Sequence, residues 1–168
     1  MRDALKKYNV GCLWHFTDKR NVDSIKQHGL LSWRELQRIG LAPTVPGGNK
    51  WSHDADEFSG VDNYVHLSFN QENPMLYIAK RDKRITDHVW LQIDLSVINE
   101  GTRYTNDVAN KADVQMLDNK SAVATIDFEA LFKFMDFRVE GNQGRKSAAA
   151  KSEILVPTMI GIDKIKGL

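Results

Sequence analysis

Apolar and polar residues along the chain fall into short blocks whose periods predict both strands and helices. Leu13-Trp14-His15-Phe16 reads as a short strand. Asn21 is suited to N-cap a helix whose apolar positions Val22 and Ile25 lie three apart, and Gly29 is placed to end it. Ser32 with Glu35 forms a capping-box pattern at the start of a second helix over Trp33 to Ile39, which Gly40 closes. From Leu41 to Lys50 the cluster Pro43, Pro46, Gly47, Gly48 and Asn49 breaks helix and strand alike and predicts a loop. Tyr64 to Phe69 alternates: Val65, Leu67 and Phe69 face one side, Tyr64, His66 and Ser68 the other. This is the pattern of a half-buried strand whose polar side lines a cleft.

Beyond it, Asn73-Pro74 supplies an N-cap and a proline at the first helical position, so Met75 to Lys80 is read as helix. Val89, Leu91, Ile93 and Leu95 keep the two-residue period of another strand, and Asp127 caps a short helix carrying Phe128, Leu131 and Phe132. The polar stretch Asp136 to Ser152 contains Gly141 and Gly144 and reads as a mobile loop. It feeds the apolar strand Ile154-Leu155-Val156, and a last strand is expected around Met159 to Ile165. Strands and helices mix without regular alternation, which favours an α+β fold over a doubly wound parallel sheet.

A length of 168 residues suits one domain, 1–168, with one core, and 42% hydrophobic with 27% charged residues is an ordinary globular balance. No apolar run approaches the roughly 20 residues that span a bilayer, and no apolar stretch follows the charged N-terminus, so no membrane role is expected and a cytoplasmic location is. The single cysteine, Cys12, excludes an internal disulfide and a cysteine-rich zinc site; a small buried hydrophobe is expected there rather than a nucleophile. A net charge of +1 gives no global basic signature, so any nucleic-acid contact is local.

No P-loop, glycine fingerprint or nucleophile elbow is present, which removes nucleoside triphosphatases and α/β-hydrolases. The five histidines lack the spacing of a helical zinc site, and no metal is expected. Three features remain: His15-Phe16-Thr17 at the end of the first strand, the polar edge of Tyr64 to Phe69, and Glu153 at the head of the strand after the long loop. Each has a bland reading as well: a histidine satisfied at a strand end, rings at the edge of the core, an exposed carboxylate.

Taken in order, His15-Phe16-Thr17, Asn21, Ile25, Gly29-Leu30-Leu31, Asp62-Asn63-Tyr64-Val65 through Phe69, Pro74-Met75-Leu76-Tyr77 and Lys151-Ser152-Glu153-Ile154-Leu155-Val156-Pro157 resemble the DarT family of DNA ADP-ribosyltransferase toxins nearly end to end. The resemblance implies the ADP-ribosyltransferase fold, a split mixed β-sheet with flanking helices and NAD in the cleft between its halves. By the same resemblance His15 and Thr17 contact the adenosine ribose and the nicotinamide amide. Phe16, Ser24 and Leu31 lie against the dinucleotide, and Tyr77 and His66 wall the nicotinamide pocket.

The resemblance makes Glu153 the catalytic carboxylate, and the chemistry explains the need for an acid there: breaking the nicotinamide–ribose bond builds positive charge that an anion stabilises more in the transition state than before it. Arg145, Lys146 and Lys151, in the loop before Glu153, would hold phosphates of single-stranded DNA; ordinary loop solvation is the competing reading. The implied partner is a macrodomain antitoxin that removes the mark. Alternatives are an RNA or protein acceptor on the same fold, or a noncatalytic nucleic-acid-binding module. One departure stands out. Many family members carry an arginine, proposed to bind NAD phosphate and assist acceptor deprotonation, before the Tyr64-type strand, whereas residues 50–63 contain none and His53 is the closest polar substitute. Thymine N3 must lose a proton to attack, whereas the exocyclic amine of guanine asks less of the protein, so guanine is the expected acceptor.

Overall fold

The computed structural model describes residues 1–168. Its centre is a six-stranded antiparallel sheet formed by β1 (Cys12–Asp18), β3 (Tyr64–Ser68), β4 (His88–Asp94), β5 (Arg103–Thr105), β6 (Glu153–Pro157) and β8 (Ile165–Lys166). The spatial order is β5-β6-β3-β1-β4-β8. Two further short strands, β2 (Leu30–Leu31) and β7 (Met159–Ile160), pair with each other beside it. The strand β6 lies between β5 and β3, and Ile154, Leu155 and Val156 are all buried, which explains why its sequence is a continuous apolar run rather than an alternation.

The central seam sets up the site. All seven residues of β1 pair with β4, from Cys12↔Asp94 to Asp18↔His88, but β1 meets β3 at a single registered pair, Trp14↔Ser68. Past that pair the two strands diverge, so the sheet opens into two halves that share a seam at one end. One face is closed by the core, where Leu13, Leu67, Ile93 and Ile154 pack with Leu5 of helix α1 (Arg2–Lys7). Phe69 stacks on Tyr104 and meets Phe128 of a C-terminal helix edge-on, which closes the sheet's far end.

Local rules place most of the helices. The helix α2 (Val22–His28) ends at Gly29, and in α3 (Trp33–Arg38) the Ser32 hydroxyl accepts from the Glu35 amide. Glu35 does not return the bond; its carboxylate pairs with Arg38. In α5 (Pro74–Arg81) Asn73 caps ahead of the proline, and in α7 (Phe128–Phe132) Asp127 accepts from the Ala130 amide. Asn21 does not cap α2 with its side chain, which is turned instead toward Thr17 and Val45.

Several expectations are corrected. The stretch read as a mobile loop holds the helix α8 (Asn142–Ala149), whose Ala149 is buried in the core. Its two glycines disguised it: Gly141 takes the left-handed conformation just before the first turn, and Gly144 lies within the helix with open space where a Cβ would be. The last strand is broken, because Gly161 and a short 3-10 turn over Ile162–Lys164 separate β7 from β8. The helices α4 (Lys50–Phe58) and α6 (Asn119–Thr125) and the strand β5 were unforeseen; α4 starts where the Asn49 side chain accepts from the Ser52 amide. Cys12 is half-buried, and that burial pushes its thiol above the ordinary range.

Gly29 shows how closely α2 is fitted to the second sheet. Its φ of +78° and ψ of −172° suit glycine, and a Cβ there would lie 2.4 Å from the carbonyl oxygen of Ile160. Gly29→Ala is therefore expected to destabilise the protein by about 2 kcal/mol or more, read as a lowered urea midpoint, whereas Gly40→Ala, which meets nothing, costs less.

Candidate active site

The diverging ends of β1 and β3 form one wall of a cleft of about 270 Å³. Its other walls are α2 and β2, the loop between α3 and α4, and α4 itself. His15, Phe16, Thr17, Ser24, Leu31 and Glu153 all line it, and so do Tyr64, His66 and Ser68 from the polar side of β3. The first sequence blocks and the last thus arrive at one place.

Glu153 is the first residue of β6 and sits opposite Ser68 in the ladder. Its carboxylate is largely withdrawn from solvent, with the side chain 13% exposed. Three groups fix it or act on it. His66 Nδ1 lies 2.6 Å from Oε2, and the Ala109 amide donates to Oε1 at 3.3 Å. Asp56 on α4, held by the Asn110 side chain at 2.8 Å, adds a second carboxylate to the neighbourhood. Burial opposes the charge on His66, but the Glu153 carboxylate, with Asp56 and the Val61 carbonyl, more than offsets it and pushes the imidazole pKa up to about 9. Burial also raises the Asp56 carboxyl, against the pull of His66 and of the Asn110 bond.

On the opposite wall, His15 donates from Nδ1 to the main-chain oxygen of His66 at 3.0 Å. Burial pushes this imidazole down, so it is neutral near pH 7 with its proton on Nδ1, and Nε2 carries a lone pair. Thr17 is buried, its hydroxyl accepting from Asn21, and Asn21 also exchanges two hydrogen bonds with the main chain of Val45. That exchange fastens the Pro43–Pro46 loop across the cleft. The start of the floor is equally fixed: Asp18 accepts from Arg20 and from the Thr86 amide, and the Arg20 contact holds its carboxyl well below the usual range.

Four expected site residues lie elsewhere. Tyr77 is 70% exposed on the outer face of α5, about 200° around the helix from Met75, which reaches the cleft together with the cap residue Asn73. Arg145 forms two hydrogen bonds with the Asp127 carboxylate, and Lys146 pairs with Glu72 at 2.9 Å and reaches the Leu131 carbonyl. Their charges brace α8 against α7 and the β3–α5 connection rather than facing the cleft. Lys151 stands 4.0 Å from Asp107, near the rim that Val108 and Asn110 form, without lining the cleft.

The sequence reading missed Trp33, Asp56 and Asn110, and named His53 only as the closest polar substitute for the family arginine. The rings of Trp33 and His53 stack with centroids 3.8 Å apart, and both ring nitrogens of His53 are buried without a partner. The Asn49-to-Ser52 cap was the available signal for α4, but nothing local announces that its Asp56 and a loop amide at 109 converge on Glu153. No arginine or lysine lines the cleft; cations gather in an adjoining groove, where Arg20, Lys50, Lys83 and Arg84 share a wall with it through Trp33 and His53.

Comparison with known proteins agrees with this geometry. Residues 14–168 match the profile of the family described as ssDNA thymidine ADP-ribosyltransferase, DarT. No curated protein matches the sequence. Among solved structures, Thermus sp. 2.9 DarT in complex with ADP-ribosylated ssDNA superposes with a TM-score of 0.70 at 14% identity, covering 94% of this chain and 80% of that one. The same protein in complex with NAD+ gives a TM-score of 0.62 at 14% identity over 93% of this chain and 79% of that one. Thermosipho africanus DarTG in complex with ADP-ribose gives 0.67 at 17% identity over 92% of this chain and 42% of that longer one. At such identities the structures establish the fold, and the profile, which takes in all but the first 13 residues, establishes the family. The chain belongs to the DarT family of single-stranded-DNA thymidine ADP-ribosyltransferases.

Proposed function

We propose that this chain uses Glu153 as the catalytic carboxylate in transferring ADP-ribose from NAD+ to a base of single-stranded DNA. The observation that carries the assignment is the convergence of Glu153, His15 and Thr17, from opposite ends of the sequence, on one cleft. The lining fits a dinucleotide. Phe16, Ile25, Leu31 and Met75 offer apolar surface to the flat rings, while His15 and Ser24 offer polar atoms to ribose and amide groups.

In the reaction, the bond between ribose C1 and the nicotinamide nitrogen breaks and its electron pair stays with the pyridine ring. Positive charge then spreads over C1 and the ring oxygen. A carboxylate held in a site largely closed to water stabilises that charge without reorganising at the moment of reaction. The acceptor nitrogen forms the new bond to C1 and releases a proton. Asp56 and the lone pair on His15 are the cleft groups able to accept one.

The family is described by thymidine, but a specific observation favours guanine here. Asp56 and His15 can take a thymine N3 proton, but no arginine or lysine lines the cleft to stabilise the thymine anion left behind, whereas the exocyclic amine of guanine attacks without first becoming an anion. The chain is read as the toxin of a pair whose antitoxin is a macrodomain protein that removes ADP-ribose from DNA; the likeness to Thermosipho africanus DarTG supports it. No helix is long and apolar enough to cross a membrane. The ion pairs of α8 withdraw support from the phosphate role first expected of Arg145 and Lys146; in the adjoining groove Arg20 and Arg84 are likewise paired, with Asp18 and Asp82, which leaves Lys50 and Lys83 as the groove's cations for phosphates.

Glu153→Gln keeps the shape and removes the charge, so nicotinamide release is expected to fall about 10³-fold while NAD+ still binds by calorimetry. Mass spectrometry after mixing the protein with NAD+ and short DNA strands of single composition is expected to show adducts on guanine strands; adducts confined to thymine return the acceptor to the family's description.

A further inference from the structure

His66 has been expected only as a wall of the cleft, yet its position gives it two tasks. It lies on β3 diagonally across the ladder from Glu153: Ser68 opposes Glu153 and His66 opposes Leu155, so 66 and 153 share one face. Long side chains span such a diagonal. Around its ring, Nδ1 faces Oε2 of Glu153 at 2.6 Å and Nε2 faces the main-chain oxygen of Val61 at 3.3 Å. A carbonyl oxygen only accepts, and so does a carboxylate, so a ring satisfied on both sides carries a proton on each nitrogen.

The main chain of the same residue performs the second task. Beyond Trp14↔Ser68 the β1–β3 ladder ends, which leaves the His66 carbonyl without a strand partner from β1, and the His15 side chain donates to it at 3.0 Å. The imidazole of one histidine thus hangs from the backbone of the other. His66 fixes His15 through its carbonyl and Glu153 through its ring, which sets the separation of the two groups across the split.

We propose that His66, as an imidazolium locked between Glu153 and the Val61 carbonyl, is the positioning residue that holds the catalytic carboxylate in its productive orientation. This rests on the assignment of Glu153 as catalytic. The carboxylate otherwise has one long bond, from the Ala109 amide at 3.3 Å, and the three-bond reach of a glutamate side chain would leave its oxygens free to turn away from the ribose. The groups facing His66 are Glu153 on β6, Asp56 on α4 and the neutral His15 on β1. Two carboxylates and one imidazolium make the cluster net negative, so the clamp orients Glu153 without cancelling the negative field at the cleft.

The imidazole binds its proton more tightly in the folded chain than in the unfolded one. The clamp's contribution to stability is therefore complete below the ordinary histidine range and is lost as pH rises through about 9. Turnover follows the same limb, since a ring that has lost one proton turns a lone pair toward either the carboxylate or the carbonyl.

Three variants and one spectroscopic reading test this. His66→Ala is expected to lower kcat for nicotinamide release about 10²-fold with KM for NAD+ near the wild-type value, and His66→Gln, which keeps an amide donor, to recover part of the loss. The alkaline limb of the wild-type pH profile disappears in His66→Gln. In protein labelled with 15N-histidine, the His66 ring is expected to stay doubly protonated through neutral pH, and in Glu153→Gln to titrate in the ordinary range. If Glu153→Gln is inactive while both His66 variants keep wild-type kcat and the alkaline limb, the positioning role is overturned and the catalytic carboxylate stands. If Glu153→Gln turns over normally, the carboxylate assignment itself falls. A wild-type His66 that titrates like a free histidine overturns the clamp whatever the variants do.

Discussion

The structure depends on a sheet that fails to close. β1 is paired along its whole length with β4 but meets β3 at one registered position, and everything chemical gathers where that second ladder stops. An unpaired main-chain oxygen in such a place costs free energy unless a partner is found. His15 supplies the partner for the His66 carbonyl, so the gap is bridged by a side chain rather than by backbone. The bridge leaves the cleft open while holding its two walls together.

A carboxylate at the head of β6 is the second demand on this architecture. Withdrawing a carboxylate from water is costly without charged or hydrogen-bonding partners, and His66 and the Ala109 amide provide them. The chain around the cleft is tied with comparable economy. Asn21 gives up the capping role its position suggests and instead binds Thr17 and Val45, so one buried amide fastens β1, the start of α2 and the proline-rich loop. A fully satisfied polar network of this kind specifies one arrangement of the loop over the site.

Much of the fold was legible because it rests on local chemistry. The alternation of Tyr64 to Phe69, the Asn73-Pro74 start of α5, the Asp127 cap of α7 and the Ser32 cap of α3 are short-range signals, and each appears in place. The failures are also physical. α8 carries two glycines and a charged surface, and its helical state is stabilised by burying Ala149 and by the Arg145–Asp127 and Lys146–Glu72 pairs. Those partners lie 18 and 74 residues away, so no window along the chain contains them. Tyr77 failed differently: its motif places it on α5, but a helix turns 100° per residue, and it is Met75 that reaches the cleft.

Most strands and helix caps, the family, and the choice of His15, Thr17 and Glu153 as candidates were readable from the chain alone, because each follows from residue types at short spacing or from blocks kept in order. Tertiary structure alone decided that His66 meets Glu153, that Asp56 and the Ala109 amide join them, and that Arg145 and Lys146 turn away. The reason is that a hydrogen bond depends on distances of a few tenths of an ångström between atoms brought together by strand register, and register across 87 residues is written in no local pattern.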